Sequence, residues 1–252
     1  MSKQQGGSDT QMSFWDHLEE LRGTLIRSAL VLCALIVPAM IFKDILFRII
    51  LYPCSEAFPI YRLLPFKSEL NLINIDISAQ FFTHLKASLC FALVVGMPFI
   101  LIELWRFIKP ALYPSEKKVL TPAALLSLLL FYLGAAVGYF IVLPICLQFF
   151  LNYSVSESIQ NTISLTSYMS MFFSMVLLIG LTFELPIIIL VLNRLGILTL
   201  STLRKGRKIA FVLVLLLSAF ITPSDPFSMF VLGLPLYLLY EFAILLCSLK
   251  RH

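Results

Sequence analysis

The chain is 252 residues long, 60% hydrophobic and only 13% charged, with a formal net charge of +5 and a mean hydropathy of +0.94. Soluble domains carry about 25% charged residues, so the apolar surface here exceeds what one buried core hides. Those figures exclude an ordinary soluble enzyme or binding module. Apolar runs near the span length of about 20 residues recur along the chain, and the alternation of a transmembrane barrel is missing. The expected class is an all-α, polytopic membrane protein, because only helices or closed barrels satisfy their own backbone groups in lipid.

Residues 1–11 are polar, hold no apolar signal segment and are expected to form a disordered tail, with residues 12–252 as a single membrane domain. Ser13 reads as an N-cap and Asp16 as a first-turn acid suited to the helix dipole. Phe14, Leu18, Leu21 and Leu25 recur at helical spacing, opposite Asp16, Glu19, Glu20 and Arg22. That pattern predicts an amphipathic helix lying on the membrane surface before the first span, for which anchoring alone is a sufficient role. The first span covers about Leu25–Phe42, with Arg27 snorkelling from its start and Pro38 kinking it. Residues 43–80 form the longest polar interval, with Pro53, Pro59 and Pro65 and no catalytic pattern.

The second span covers about Phe81–Leu104. In Trp105–Lys118 charge, proline and aromatics then crowd between two apolar runs, and Pro110 and Pro114 oppose a continuous helix. A short basic loop is expected there. Glu116 is the only acid within it, beside Lys117 and Lys118, and on composition alone a solvated charge pair accounts for it. The third span covers about Val119–Leu147, where Gly134 and Gly138 form a small-xxx-small pair suited to close helix contact. After a polar interval at Asn152–Ser167, the fourth span, about Tyr168–Leu192, carries Glu184 just before Pro186. A carboxylate at such depth costs about 2.5–3.5 kcal/mol on insertion scales, so it should face protein or water, as a hydrogen-bonded structural acid or a functional one. Glu103 and Glu241 lie nearer span ends and are weaker candidates. Beyond the basic loop Arg194–Lys208, the fifth run, Ile209–Ile221, makes about 20 Å of helix at 1.5 Å per residue. That is short of a hydrocarbon core of about 30 Å. Asp225 lies between Pro223 and Pro226, where a helix cap is a sufficient explanation, and the last span covers about Phe227–Leu249.

Six spans with an inner N-terminus place fourteen of the 19 lysines and arginines inside, leaving Lys43, Arg48, Arg62, Lys67 and Lys86 outside. By the positive-inside bias both termini, and the Trp105–Lys118 loop, are expected to be cytoplasmic. Cys33, Cys54, Cys90, Cys146 and Cys247 show no metal-type spacing; Cys54 and Cys146 fall on the same outer side, where a disulfide is one option. His17, His84 and His252 are not at ligand spacing, and HExxH, GxSxG and P-loop patterns are missing. No catalytic residues, metal or cofactor are expected.

His17-Leu-Glu-Glu-Leu-Arg22, Trp105-Arg-Phe-Ile-Lys-Pro-Ala-Leu-Tyr-Pro-Ser-Glu116, Phe183-Glu-Leu-Pro186 and Ile221-Thr-Pro-Ser-Asp225 together resemble the TatC family, the multispanning subunits of the twin-arginine protein translocase. The resemblance implies a receptor for twin-arginine signal peptides that helps export folded proteins, driven by the proton-motive force. Glu20 and Arg22 match the charged pair of the N-terminal motif, and Phe107 and Glu116 the signal-reading positions. Glu184 matches the intramembrane glutamate, Asp225 the acid of the last outer loop and, more weakly, Pro53 the proline after the first span. Gly23-Thr24 departs from the pattern, since the family often has a further basic residue there. The implied partners are signal peptides of folded cargo, TatA/TatB-type single-pass subunits, further copies of the chain and lipid, with no nucleic acid. The implied location is a bacterial inner membrane rather than a thylakoid. Physical chemistry adds that paired guanidinium groups call for fixed carboxylates, which arginine meets through two parallel hydrogen bonds. The rival is a proton-coupled small-solute transporter with Glu184 as coupling acid, but the halves show no internal repeat. An intramembrane protease would pair Glu184 with Asp225, yet no protease motif surrounds either.

Overall fold

The computed structural model describes residues 14–62, 72–108, 120–156, 161–222 and 225–249. Helices dominate: α1 (Phe14–Ile41), α2 (Lys43–Leu51), α3 (Ala79–Ile108), α4 (Leu120–Val137), α5 (Leu143–Asn152), α6 (Leu165–Phe173), α7 (Ile179–Thr182), α8 (Leu185–Arg194), α9 (Leu200–Lys205), α10 (Arg207–Ile221) and α11 (Pro226–Leu249). The one sheet among the described residues is a parallel pair, β1 (Leu72–Ile73) with β2 (Ile163–Ser164). Leu18–Ile41, Ala79–Phe107, Pro122–Asn152, Leu165–Arg194 and Pro226–Ser248 are each long and apolar enough to cross a membrane. Helix α10 is the sixth membrane helix, and its 15 residues give about 22 Å, still short of the core thickness of about 30 Å. Leu30, Val37, Leu125, Leu129, Leu234 and Leu238 stand exposed around the bundle. Such a belt suits lipid and would be a liability in water.

Two expectations for the N-terminal segment are corrected. The surface helix and the first span are one unbroken helix, α1, which runs through Pro38 and stops within a turn of it. Part of its apolar stripe also faces outward: Leu18 and Leu25 are exposed and Leu21 half-buried, whereas Thr24 is buried and Glu20 half-buried. In lipid an apolar face is the solvated one, and while Glu19 and Arg22 stand exposed, the line through Glu20 and Thr24 is the side that packs. It packs on α3. Leu32 and Leu35 lie over Gly96, where a Cβ would come within 3.1 Å of the Leu35 methyl. Arg27 meets Glu103. Contacts that climb along α1 descend along α3, so the pair is antiparallel.

The middle of the bundle is held by closer contacts. Helices α4 and α5 join through a π-turn at Gly138–Val142, and α6 and α7 through another at Ser174–Leu178. These bulges meet, for a Cβ on Gly138 would run into the Met175 carbonyl. Gly134 receives the Phe183 ring and Gly180 the Phe131 ring. The small-xxx-small pair therefore does bring two helices together. At the end where α1 finishes, Tyr139 and Tyr168 donate to the carbonyls of Ile49 (2.7 Å) and Ile50 (2.5 Å) in the last turn of α2. Fully buried Phe58 packs there between Tyr52, Tyr61, Tyr139 and Phe140, with ring centroids 5.2–5.7 Å apart. Cys54 and Cys146 are both free thiols.

Candidate functional site

Glu20, Thr24 and Arg27 follow one another along one side of α1, at the spacing that stacks side chains on one face of a helix. Thr24 accepts a hydrogen bond from Arg27 Nη2 at 3.3 Å. The same guanidinium grips Glu103 Oε2 through both Nε and Nη2 at 2.7 Å, and Arg106 Nη1 donates to Glu103 Oε1 at 2.9 Å. Glu103 is only 2% exposed. Two cations on one buried carboxylate satisfy both its oxygens, which is what a charge removed from water requires. Arg27 therefore does not simply snorkel, and Glu103, although near a span end, is buried and paired. The pairing was missed because its members lie 76 residues apart. The usable signal was an acid near the end of one span and an arginine at matching depth in its antiparallel neighbour.

One turn further out, Glu20 keeps Oε2 buried with no hydrogen-bond partner among the described residues. The register of the two helices carries Glu20 past Ile108, where the described part of α3 ends. Arg22 is exposed beside it, and Phe107 is half-buried in the last turn of α3. Glu116 lies outside the described residues, as do Ser13 and the prolines of the loop. Glu20, Arg22 and Phe107 thus share one end of the bundle, where a carboxylate oxygen is left able to accept.

Glu184 occupies a second place. The turn at Phe183-Glu184 separates α7 from α8, with Pro186 in the first turn of α8. Its carboxylate is about 15 Å from the Arg194 end of the span at 1.5 Å per residue. It is 8% exposed. Ser127 of α4 donates to Oε2 in a short hydrogen bond, while Oε1 has no partner among the described residues. The acid faces protein, as its cost in lipid demands.

The remaining residues take local structural places. Asp225 caps α11 by accepting from the Ser228 backbone N–H at 2.6 Å, ahead of Pro226 at the first helical position. Pro53 is buried in a 3₁₀ turn, and its carbonyl accepts from Tyr61 at 2.7 Å. Glu241 pairs with Arg207 at 2.8 Å and ties α11 to the start of α10. No group of three or more His, Cys, Asp or Glu side chains able to hold a metal occurs among the described residues.

A six-helix bundle of membrane-spanning character, with buried acids at one end and mid-span, defines a polytopic membrane protein. The family model for the Sec-independent protein translocase protein TatC matches residues 16–235. The Aquifex aeolicus Sec-independent protein translocase protein TatC is 35% identical over 242 residues, 96% of this chain and 97% of that protein. Its Escherichia coli K12 counterpart is 34% identical over 186 residues, 74% of this chain and 71% of that one. A crystal structure described as the twin arginine translocase receptor TatC superposes with a TM-score of 0.79 at 35% identity, covering 94% of this chain and all of that one. The chain belongs to the TatC family and is a membrane-embedded component of a Sec-independent protein translocase, a transport subunit rather than an enzyme.

Proposed function

We propose that the chain reads twin-arginine signal peptides at the end of the bundle where α1 begins and α3 ends. The observation that carries the proposal is Glu20: a half-buried carboxylate with one oxygen unpartnered among the described residues. Two of the nearby cations are no rivals, since Arg27 and Arg106 both serve Glu103. A forked guanidinium from a peptide is a fitting donor for that oxygen. Glu116 supplies the second acid, and Phe107 packs against the bound peptide. Both termini and this site lie in the cytoplasm of a bacterial cell, with the bundle in the inner membrane, in keeping with the lysine and arginine bias. TatA/TatB-type single-pass helices and further copies of the chain complete the complex, with the short α10 and α11 as the docking region. Glu184 provides a polar point within the membrane path, and Asp225 and Pro53 hold the outer rim. The proton-motive force drives export, so an uncoupler is expected to halt it while ATP remains. A photo-crosslinker beside the paired arginines of a signal peptide should capture the segments around Glu20 and Phe107. Capture at α10 or α11 instead would place recognition elsewhere and remove the proposal.

A further inference from the structure

Thr24, at the edge of the ion cluster around Glu103, lies about one helical turn from the proposed arginine-reading acid, and the geometry of that cluster gives it a task. Arg27 folds back toward the start of α1: Nη2 is 3.3 Å from Thr24 Oγ1, and Nη1 is 3.1 Å from where a Cβ on Gly23 would stand. Gly23 thus leaves the space that the guanidinium fills. Glu20 is four residues before Thr24 on the same face, about 6 Å along the axis. At that range an unengaged guanidinium attracts a carboxylate appreciably even at an effective dielectric near 20. Yet the ion pairs among the described residues do not include Glu20, whose Oε2 is left unpartnered. What holds Arg27 away is Glu103, 3% exposed at its side chain, with one oxygen given to Arg27 and the other to Arg106.

We infer that Glu103 is a positioning residue that sequesters Arg27 and Arg106, keeping these two guanidinium groups off Glu20 so that its carboxylate stays open to a guanidinium brought by a peptide. The inference rests on the proposed peptide-reading role of Glu20. Arg27 is 45% and Arg106 61% exposed at the side chain, so each has room to swing once released. Cluster and reading site are then one device. The buried acid consumes two internal cations, and the outer acid selects an external pair.

A mechanical clamp joining α1 to α3 would use the same contacts, and a rescue experiment separates the two roles. The full chain in lipid nanodiscs is titrated with a fluorescent twin-arginine signal peptide, as wild type and as Glu20→Gln, Glu103→Gln and the triple variant Arg27→Gln, Glu103→Gln, Arg106→Gln. Glu103→Gln is expected to weaken binding about tenfold, because the freed guanidinium competes for Glu20. The deficit should shrink as salt rises from 0.05 to about 0.5 M and the Debye length shortens. The triple variant should return to within about twofold of wild type, although it lacks every contact of the cluster. Binding by the triple variant as weak as by Glu103→Gln, or undiminished binding by Glu103→Gln, would overturn the inference. Wild-type affinity in Glu20→Gln would instead remove the peptide-reading proposal itself, and this inference with it. If Glu103→Gln does not fold, Glu103→Asp carries the test: it shortens the acid, and an intermediate loss should be reversed by adding Arg27→Gln. No reversal overturns the inference.

Discussion

Glu103 and Glu184 are the buried carboxylates among the described residues, and their neighbours set them apart. Glu103 has two guanidinium groups, whereas Glu184 has a serine hydroxyl and one oxygen without a described partner. Ser127→Ala removes the one described donor to Glu184, and a buried acceptor left unmet costs about 1–3 kcal/mol. A lower thermal midpoint of the purified chain in detergent is the expected result; an unchanged midpoint would mean the bond contributes nothing net. Glu184 was legible in the sequence because an acid deep in an apolar run has few acceptable surroundings. Glu103 was not, because water lies close to a span end and is an alternative partner for any charge there. Only the antiparallel register of α1 on α3 shows that this acid turns inward.

At the scale of elements, span order and most boundaries followed from apolar run lengths, including the short α10. The face of α1 did not follow. A hydrophobic stripe identifies the packed side of a helix in water, but in lipid Leu18 and Leu25 are content outside, while Glu20 and Thr24 pack. Hydropathy also cannot show the paired π-turns at Gly138 and Ser174, since a bulge shifts register without altering composition. Asp225 behaves as its proline-flanked setting suggested, as a cap. Asp225→Ala is expected to destabilise α11 by about 1 kcal/mol. Hydrogen exchange in the first turn of α11 would report the loss, and unaltered protection there would refute the cap as a source of stability.

For the whole molecule, the sequence motifs pointed to the family that the fold and the relatives bear out. The proposed orientation makes a separate prediction. In a chain whose native cysteines are replaced, an impermeant thiol reagent should label Ser154→Cys in intact cells, since Ser154 is exposed in the loop after α5. It should reach Ile197→Cys, exposed between α8 and α9, only once the cells are permeabilised. The opposite pattern would invert the topology and move Glu20 away from any cytoplasmic peptide. The most direct test is the affinity of wild type and Glu20→Gln for two signal peptides, one with paired arginines and one with paired lysines. Lysine keeps the charge but lacks the fork. Recognition by a fixed carboxylate predicts at least about tenfold preference for arginine in the wild type, and its collapse in Glu20→Gln. An equal preference in both proteins would contradict a reading site at Glu20.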